Sequence, residues 1–403
     1  MPNFSRNRSG KAVGSTSTLA PRSNRISGGK SVQNNWAGVS TPNAPTSLSL
    51  SSVTTTAAII AFTAPTDNGG AVITNYAHST DGITFTALSP ADAITPVTIT
   101  GLSASTSYTL YLAAINEVGT GVSSSGLAVT TANPNPSSVD YLVIAGGAGG
   151  ARTSTNFVGA GGGGAGGMLT GSQAVSSSMS VIIGAGGATQ TGGNTRGNSG
   201  TASTFVSFAP VGGGGGGAYS NSNGLSGGSG GGGAYSLGTG GAATSGQGNA
   251  GATQVGSGDG GAGGGGKGGA GTGNSGNNGG AGGAGGASSV TGGSVTYAGG
   301  GGGTGAYGGT GGTAGSGGGG AGGQNSDAGG AGTANTGGGG GAGGAFSGGS
   351  GNGGAGGKGV VIISYANTFA DPTIGGGLTY TRTTPSGLVV YTFTDGSDTI
   401  GWS

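Results

Sequence analysis

Glycine decides what most of this chain can become. It supplies 112 of the 403 residues, and 94 of those lie between positions 146 and 359. A stretch so rich in glycine has few side chains to bury. Ordering its backbone costs roughly 1–2 kcal/mol per residue, and glycine loses more freedom than most residues. Such a region orders only if dense main-chain hydrogen bonds replace an ordinary core; the alternative is a flexible linker.

Periodicity separates the possibilities. Ala281, Ala284 and Ala287 are spaced by glycine pairs; Thr304, Tyr307, Thr310 and Thr313 keep the same step, with Ala306 as the one extra side chain, and Ala355 and Lys358 repeat it. A left-handed helix of the polyproline II type has three residues per turn. A repeat of this kind therefore lines its side chains along one face and leaves two faces of bare backbone. Bare faces allow close approach and amide hydrogen bonding between neighbouring helices, so the pattern predicts a polyglycine II-type helix bundle. Collagen needs abundant proline, and Pro210 is the only proline between Pro136 and Pro372. Silk-like sheets need a period of two. Apolar strands at both ends, Tyr141-Leu-Val-Ile-Ala145 and Val360-Val-Ile-Ile-Ser-Tyr365, with Ser180-Val-Ile-Ile183 between them, argue against a linker.

Charge is sparse and uneven: 11 basic and 10 acidic residues, net +1. Arg6, Arg8, Lys11, Arg22, Arg25 and Lys30 crowd residues 1–41, which hold no acid, and Trp36 joins them. This arm lacks periodicity and reads as an extended docking tail for a partner protein. Nucleic acid is the weaker partner for it, because aromatic residues are scarce among the charges. No apolar run follows the basic residues, so no secretory signal is expected, and no run is long enough to span a bilayer. Cysteine is absent, which removes disulfides and thiolate metal sites.

Residues 42–132 read as short strands separated by turns: 47–53, 56–63, 72–79, 83–88, 97–101, 107–116 and 127–131. Asp67-Asn-Gly-Gly70 and Asp81-Gly82 supply turn chemistry. Seven strands over this length make a β-sandwich. Pro42-Asn-Ala-Pro45, Ala61-Phe-Thr-Ala-Pro65, Ile99-Thr-Gly-Leu102 and Tyr108-Thr-Leu-Tyr-Leu-Ala-Ala-Ile-Asn116 resemble a fibronectin type III domain, with Tyr108 at the tyrosine-corner position and Phe62 where that family usually has Trp. Residues 133–138 form a stiff linker around Asn133-Pro-Asn-Pro136. The glycine-rich domain covers 139–365, and 366–403 reads as a C-terminal β-hairpin tail that pairs with the domain before it.

Tyr141-Leu-Val-Ile-Ala-Gly-Gly147, Ser294-Val-Thr-Tyr-Ala-Gly-Gly300 and Gly357-Lys-Gly-Val-Val-Ile-Ile-Ser-Tyr365 resemble the glycine-rich domain of phage tail fibres and adhesins. The resemblance implies a rigid block whose loops touch a host surface, with no named contact residues carried over. By the same analogy a homotrimer is expected.

Catalytic patterns are missing. The strand before Gly146 lacks the helix and the acid of a dinucleotide site, and Lys267 and Lys358 lack the Ser or Thr of a phosphate loop. His78 is the only histidine, so triads and histidine-based metal sites lack their base and ligands. Asp395 and Asp398 read as a hairpin turn in preference to a carboxylate pair or a weak calcium loop. Cofactors and metals are therefore not expected, and neither is enzymatic activity; depolymerase chemistry would need carboxylates brought together from distant positions.

Binding residues are expected where polar or aromatic side chains interrupt the glycines. These are Tyr219, Asn221 and Asn223; Tyr235, beside Leu237; Asn274, Asn277 and Asn278; Tyr307; Gln324, Asn325 and Asp327; and the run 333–336. Tyrosine offers an apolar face with a polar tip, and amides offer paired donors and acceptors, which suits sugars or polar protein loops. The chain thus reads as all-β: a fibronectin type III-like β-sandwich followed by the glycine-rich domain. Its expected function is a non-enzymatic virion-surface fibre or adhesin of a bacteriophage. The arm would meet other virion proteins and the loops a polysaccharide or outer-membrane protein of the host. A structural fibre or capsid decoration without a receptor, or a bacterial extracellular filament, is the alternative.

Overall fold

The computed structural model describes residues 38–402 except Asn156 and Ser257. Arg6, Arg8, Lys11, Arg22, Arg25, Lys30 and Trp36 lie outside the described residues. The fold is all-β, with no helix among the described residues. Two compact units divide the described residues: one takes those up to Leu48 with Phe62–Thr95 and Tyr111–Gly126, the other Ser49–Ala61, Pro96–Leu110 and the described residues from Leu127 onward.

The N-terminal strands are β1 (Thr46–Val53), β2 (Ala57–Thr63), β3 (Asn75–Ser79), β4 (Thr86–Ala87), β5 (Val97–Thr100), β6 (Ser107–Asn116), β7 (Gly119–Ser123) and β8 (Leu127–Thr130). They form one sheet in the order β1-β2-β5 and a second in the order β4-β3-β6-β7, with β8 also on β6. Alternation along β2 buries Ala58, Ile60 and Phe62, as a half-buried strand requires. Phe62 meets Tyr76 edge-on, with ring centroids 4.6 Å apart, so the phenyl ring fills a core position without the larger indole. The Tyr108 hydroxyl accepts the Ser103 N–H at 2.9 Å, closing the tyrosine corner. β3 starts later than its sequence pattern predicts and β4 is shorter, because Val72 and Ile83 are exposed. β7 escapes sequence reading because Gly119 and Gly121 lower strand propensity. The backbone needs Gly121 there: an added Cβ would sit 2.1 Å from the Pro42 carbonyl oxygen.

The glycine-rich region is anchored on a sheet of β9 (Ser138–Ile144), β10 (Met168–Ala174), β11 (Met179–Ile182), β12 (Thr204–Phe205), β17 (Val360–Ala366) and β20 (Leu388–Gly401), in the order β10-β9-β17-β20-β11-β12. The short β18 (Thr373–Ile374) and β19 (Leu378–Thr383) also pair with β20. Both faces are covered. Tyr141, Val143, Val361, Ile363, Tyr391 and Phe393 pack in one cluster, and Leu142, Ile144, Val360 and Ile362 pack in another with Met168 and Tyr297. Burial on both faces explains why these strands read as continuous apolar runs instead of alternating ones.

Asp395 and Asp398 correct the sequence reading: they lie inside the 14-residue β20, not in a hairpin turn. Phe393 pairs with Tyr380 and Asp395 with Thr379, so Thr394 is the extra residue of a β-bulge, and Gly396 takes φ +97° beside it. The bulge stands where β20 leaves its partner β17 and takes up β11. It marks a change of neighbour, a common use of bulges.

Between these strands the chain runs out and back many times, and its hydrogen bonds repeat every third residue. Ala145, Ala148 and Ala151 donate to Gly167, Gly164 and Gly161 at 3.0, 2.9 and 3.1 Å. Gly146, Gly149 and Arg152 donate to Thr201, Asn198 and Thr195 at 2.9, 2.8 and 3.0 Å. Gly147 and Gly150 donate to Gly357 and Gly354, both at 2.9 Å. Three successive residues therefore serve three different neighbouring runs. Further out, Gly162 and Ala165 bond to Ala262 and Gly265, in parallel register. Two small hairpins interrupt the runs: β13 (Gly286–Ser288) with β14 (Val295–Tyr297), and β15 (Ala345–Phe346) with β16 (Gly349–Ser350).

Candidate functional site

The hydrogen-bond registers divide the turns of the glycine-rich region between two ends. One end meets the sheet: run 145–153 leaves β9 there, and run 159–167 returns into β10. The turns at the other end fall near residues 154–155 and 157–158, 191–194, 219–221, 235–237, 256 and 258, 275–277, 307–308, 325–327 and 345–350. Tyr219, Asn221, Asn223, Tyr235, Asn274, Asn277, Asn278, Tyr307, Gln324, Asn325 and Asp327 all sit in or beside these remote turns. The run 333–336 does not: Thr333 bonds to Gly318 and Thr336 to Ala298, at the sheet end.

Contacts join neighbouring remote turns into a surface. The rings of Tyr219 and Tyr235 lie 5.7 Å apart. Tyr307 stacks on Phe157 at 4.6 Å with a 13° interplanar angle, and Phe346 meets Phe157 edge-on at 5.2 Å. Such pairs contribute roughly 0.5–1.5 kcal/mol each beyond burial, so they fix the ring positions. Ser326 Oγ donates to the Phe346 carbonyl at 2.7 Å, and Ser220 Oγ to the Asn194 carbonyl at 2.9 Å. Four large apolar or aromatic side chains stay open at this end: Tyr219, Leu237, Val255 and Tyr307, with Leu237 65% exposed. A shallow cavity of about 170 Å³ lies against Tyr235, Leu237, Gln254 and Asp259.

The amides divide into two kinds. Asn274 is buried, its Oδ1 accepting Val255 N–H at 2.7 Å and its Nδ2 donating to Gly276 O at 2.9 Å. Its side chain is used up holding the turn and offers nothing to a ligand. Asn223 Oδ1 likewise accepts Thr239 N–H and Asn278 Oδ1 accepts Thr310 N–H, both at 2.9 Å, though both residues remain exposed. Asn221, Asn277, Gln324 and Asp327 are exposed. Asn325 is half-buried at φ +51°, and its Oδ1 is buried without a hydrogen-bond partner. Sequence reasoning missed Phe157, Phe346, Arg152 and Arg196, whose places become visible only when distant runs are laid side by side.

No group of His, Asp or Glu that could hold a metal ion occurs among the described residues. His78 stands alone, with its Nδ1 buried and unpartnered, and burial pulls its imidazole below the usual value. Elsewhere Tyr365 donates to Asp371 Oδ1 at 2.9 Å, and Arg382 reaches the same oxygen at 3.1 Å. Burial first, then that carboxylate, raise the Tyr365 phenol far above its usual value, so this network is structural.

A family model described as a glycine-rich domain matches residues 122–366, more than half of the chain. The chain belongs to this glycine-rich domain family. Ahead of the glycine-rich domain, a fibronectin type III domain model matches residues 43–130. No curated protein matches the chain. Among solved structures, a titin domain fragment is similar at 25% identity and TM-score 0.21, covering 23% of this chain and 32% of the fragment. The FN5 domain of Drosophila Lar is similar at 19% identity and TM-score 0.18, covering 23% of this chain and 97% of that domain. A chitinase from Bacillus thuringiensis is similar at 15% identity and TM-score 0.18, covering 46% of this chain and 28% of the chitinase. The chain thus spans about a third of the titin fragment and less of the chitinase.

Proposed function

We propose that this chain is a non-enzymatic attachment protein on the outside of a bacteriophage particle, a tail fibre or adhesin that meets the host cell through the remote turns of its glycine-rich domain. The observation that carries the reading is the gathering of aromatic and amide-bearing turns at the end opposite the anchoring sheet. Hydrogen bonds that repeat every third residue support runs of the polyglycine II type, packed within one chain. Such a block holds its runs largely by main-chain bonds, which leaves side chains at the turns to carry recognition. The fibronectin type III domain acts as a spacer, and the basic arm of residues 1–41 docks on other virion proteins.

Purified full-length protein should bind host cells saturably and compete with phage adsorption. Replacing Tyr219, Tyr235 and Tyr307 together by Ala should weaken that binding at least tenfold, since aromatic anchors carry much of the energy at interfaces, and leave the fold intact. A folded protein that binds no candidate host would instead favour a structural fibre or decoration role.

A further inference from the structure

The remote end carries two arginines that no carboxylate neutralises. Arg152 ends the first outward run, bonded through its backbone N–H to Thr195 O at 3.0 Å, and Arg196 is the next residue along that neighbouring run. Arg152 Nη1 donates to Thr191 O at 2.8 Å and Nη2 to Ser350 Oγ at 2.6 Å, while its Nε is buried with no acceptor. Arg196 Nε donates to Asn221 O at 3.2 Å. Both side chains are half-buried, and every acceptor they use is neutral. Among the described residues the ion pairs are Lys358–Asp395 and Arg382–Asp371, so neither arginine is in one.

A guanidinium keeps its proton at any ordinary pH and carries five N–H donors. Among the described residues Arg152 thus keeps one orphaned donor and a spare proton on each Nη, and the Arg196 Nη groups make no hydrogen bond. Charge-assisted bonds from arginine to phosphate or carboxylate are about twice as strong as neutral ones, and the planar fork suits such oxyanions better than a lysine would. Beside the arginines the Asn194 amide is taken up by Thr153, Ser154 and Thr155, while Ser154 and Ser220 stay exposed and place hydroxyl groups where a sugar could meet them. Resting on the attachment reading above, we propose that Arg152 and Arg196 flank an oxyanion-binding site at the 191–194 turn, for a phosphate- or carboxylate-bearing surface polysaccharide.

Arg152 also ties three turns together, so Arg196 is the cleaner probe. Full-length protein should be labelled with phenylglyoxal and read residue by residue, in the presence of inorganic polyphosphate, polygalacturonate or neutral dextran at matched ionic strength. Arg196 labelling should slow about tenfold with a polyanion, consistent with one charge-assisted contact, and not with dextran. Arg382, held by Asp371, should change little. Whichever polymer protects better identifies phosphate or carboxylate as the source. Arg196→Gln should weaken polyphosphate binding and Arg196→Lys restore part of it. Arg196 labelling that is unaffected, or slowed no more than Arg382, overturns the proposal. Cell binding without Arg196 protection would leave the attachment reading standing and remove the oxyanion site; protection without cell binding would do the reverse.

Discussion

Gly147 offers a direct test of a block held by main-chain bonds. An Ala Cβ there would sit 2.1 Å from Gly338 O and 2.5 Å from Gly338 C. Ordinary contact needs about 3.4 Å or more, so the two runs must part by about 1 Å. The bonds at risk are Gly147 N to Gly357 O at 2.9 Å, Gly187 N to Gly147 O at 2.8 Å and Gly357 N to Gly338 O at 2.8 Å. Stretching by 1 Å takes them past the hydrogen-bond limit. A buried donor or acceptor left unmet costs about 1–3 kcal/mol, and overpacking adds about 1–3 kcal/mol. With one such bond lost, Gly147→Ala should destabilise by roughly 2–6 kcal/mol, against a total stability of about 5–15 kcal/mol. At roughly 2–4 °C per kcal/mol for a domain of this size, the melting temperature should fall by roughly 4–24 °C. Gly192→Ala is the control: nothing lies within 4 Å of its Cβ position, so its effect should stay within about 0.5 kcal/mol. Calorimetry on both full-length variants decides the matter. Equal melting temperatures for the two would refute packed, bonded runs and restore a flexible linker.

Two further outcomes concern His78 and Lys358. Burial lowers the His78 imidazole, so below about pH 6.5 protons bind the unfolded chain before the folded one. Stability should therefore fall from that pH downward, until the folded-state value is passed. His78→Gln should flatten the slope, and an unchanged pH profile would count against the burial. Lys358 pairs with Asp395 where the two side chains are 40% and 59% exposed. Lys358→Ala should leave the melting temperature unchanged within error, as expected of solvent-screened pairs; a clear drop would show that the pair fastens β20.

What the sequence made legible followed the kind of signal each element leaves. β6 was readable to the residue because aromatic and aliphatic side chains at 107–116 mark a strand by themselves. β7 was not, because two glycines hide a strand whose partners demand small residues. β20 was misread at Asp395-Gly396, where turn chemistry serves a bulge inside a long strand. The three-residue period was visible, but the choice of neighbours was not. Ala148 bonds to Gly164 and Gly149 to Asn198 through main-chain atoms alone, which leave no mark in residue type. Tyr219, Tyr235 and Tyr307 stood out against the glycines, whereas Phe157 and Phe346 gained meaning only as ring partners of Tyr307 and of each other.

The same physics bears on why a recognition surface would be built this way. In an ordinary domain a turn is held by side chains packed beneath it, so changing the turn disturbs the core. Here the runs beneath the remote turns are held by amides, as where Gly163 bonds to Gly340 and Gly302 to Gly320 at 2.8 and 2.9 Å. Only glycine fits where those runs lie closest, because the space a Cβ would need is already filled by a neighbour's carbonyl. Close-packing constraint is therefore concentrated in the runs and eased at the turns, where side chains such as Asn274 and Ser326 make local bonds. The short hairpin at 345–350 and the bare tyrosine turn at 307–308 sit on the same scaffold at very different lengths. A surface of this construction can change its partner by substituting turn residues one at a time, while the bonds that position them stay as they are.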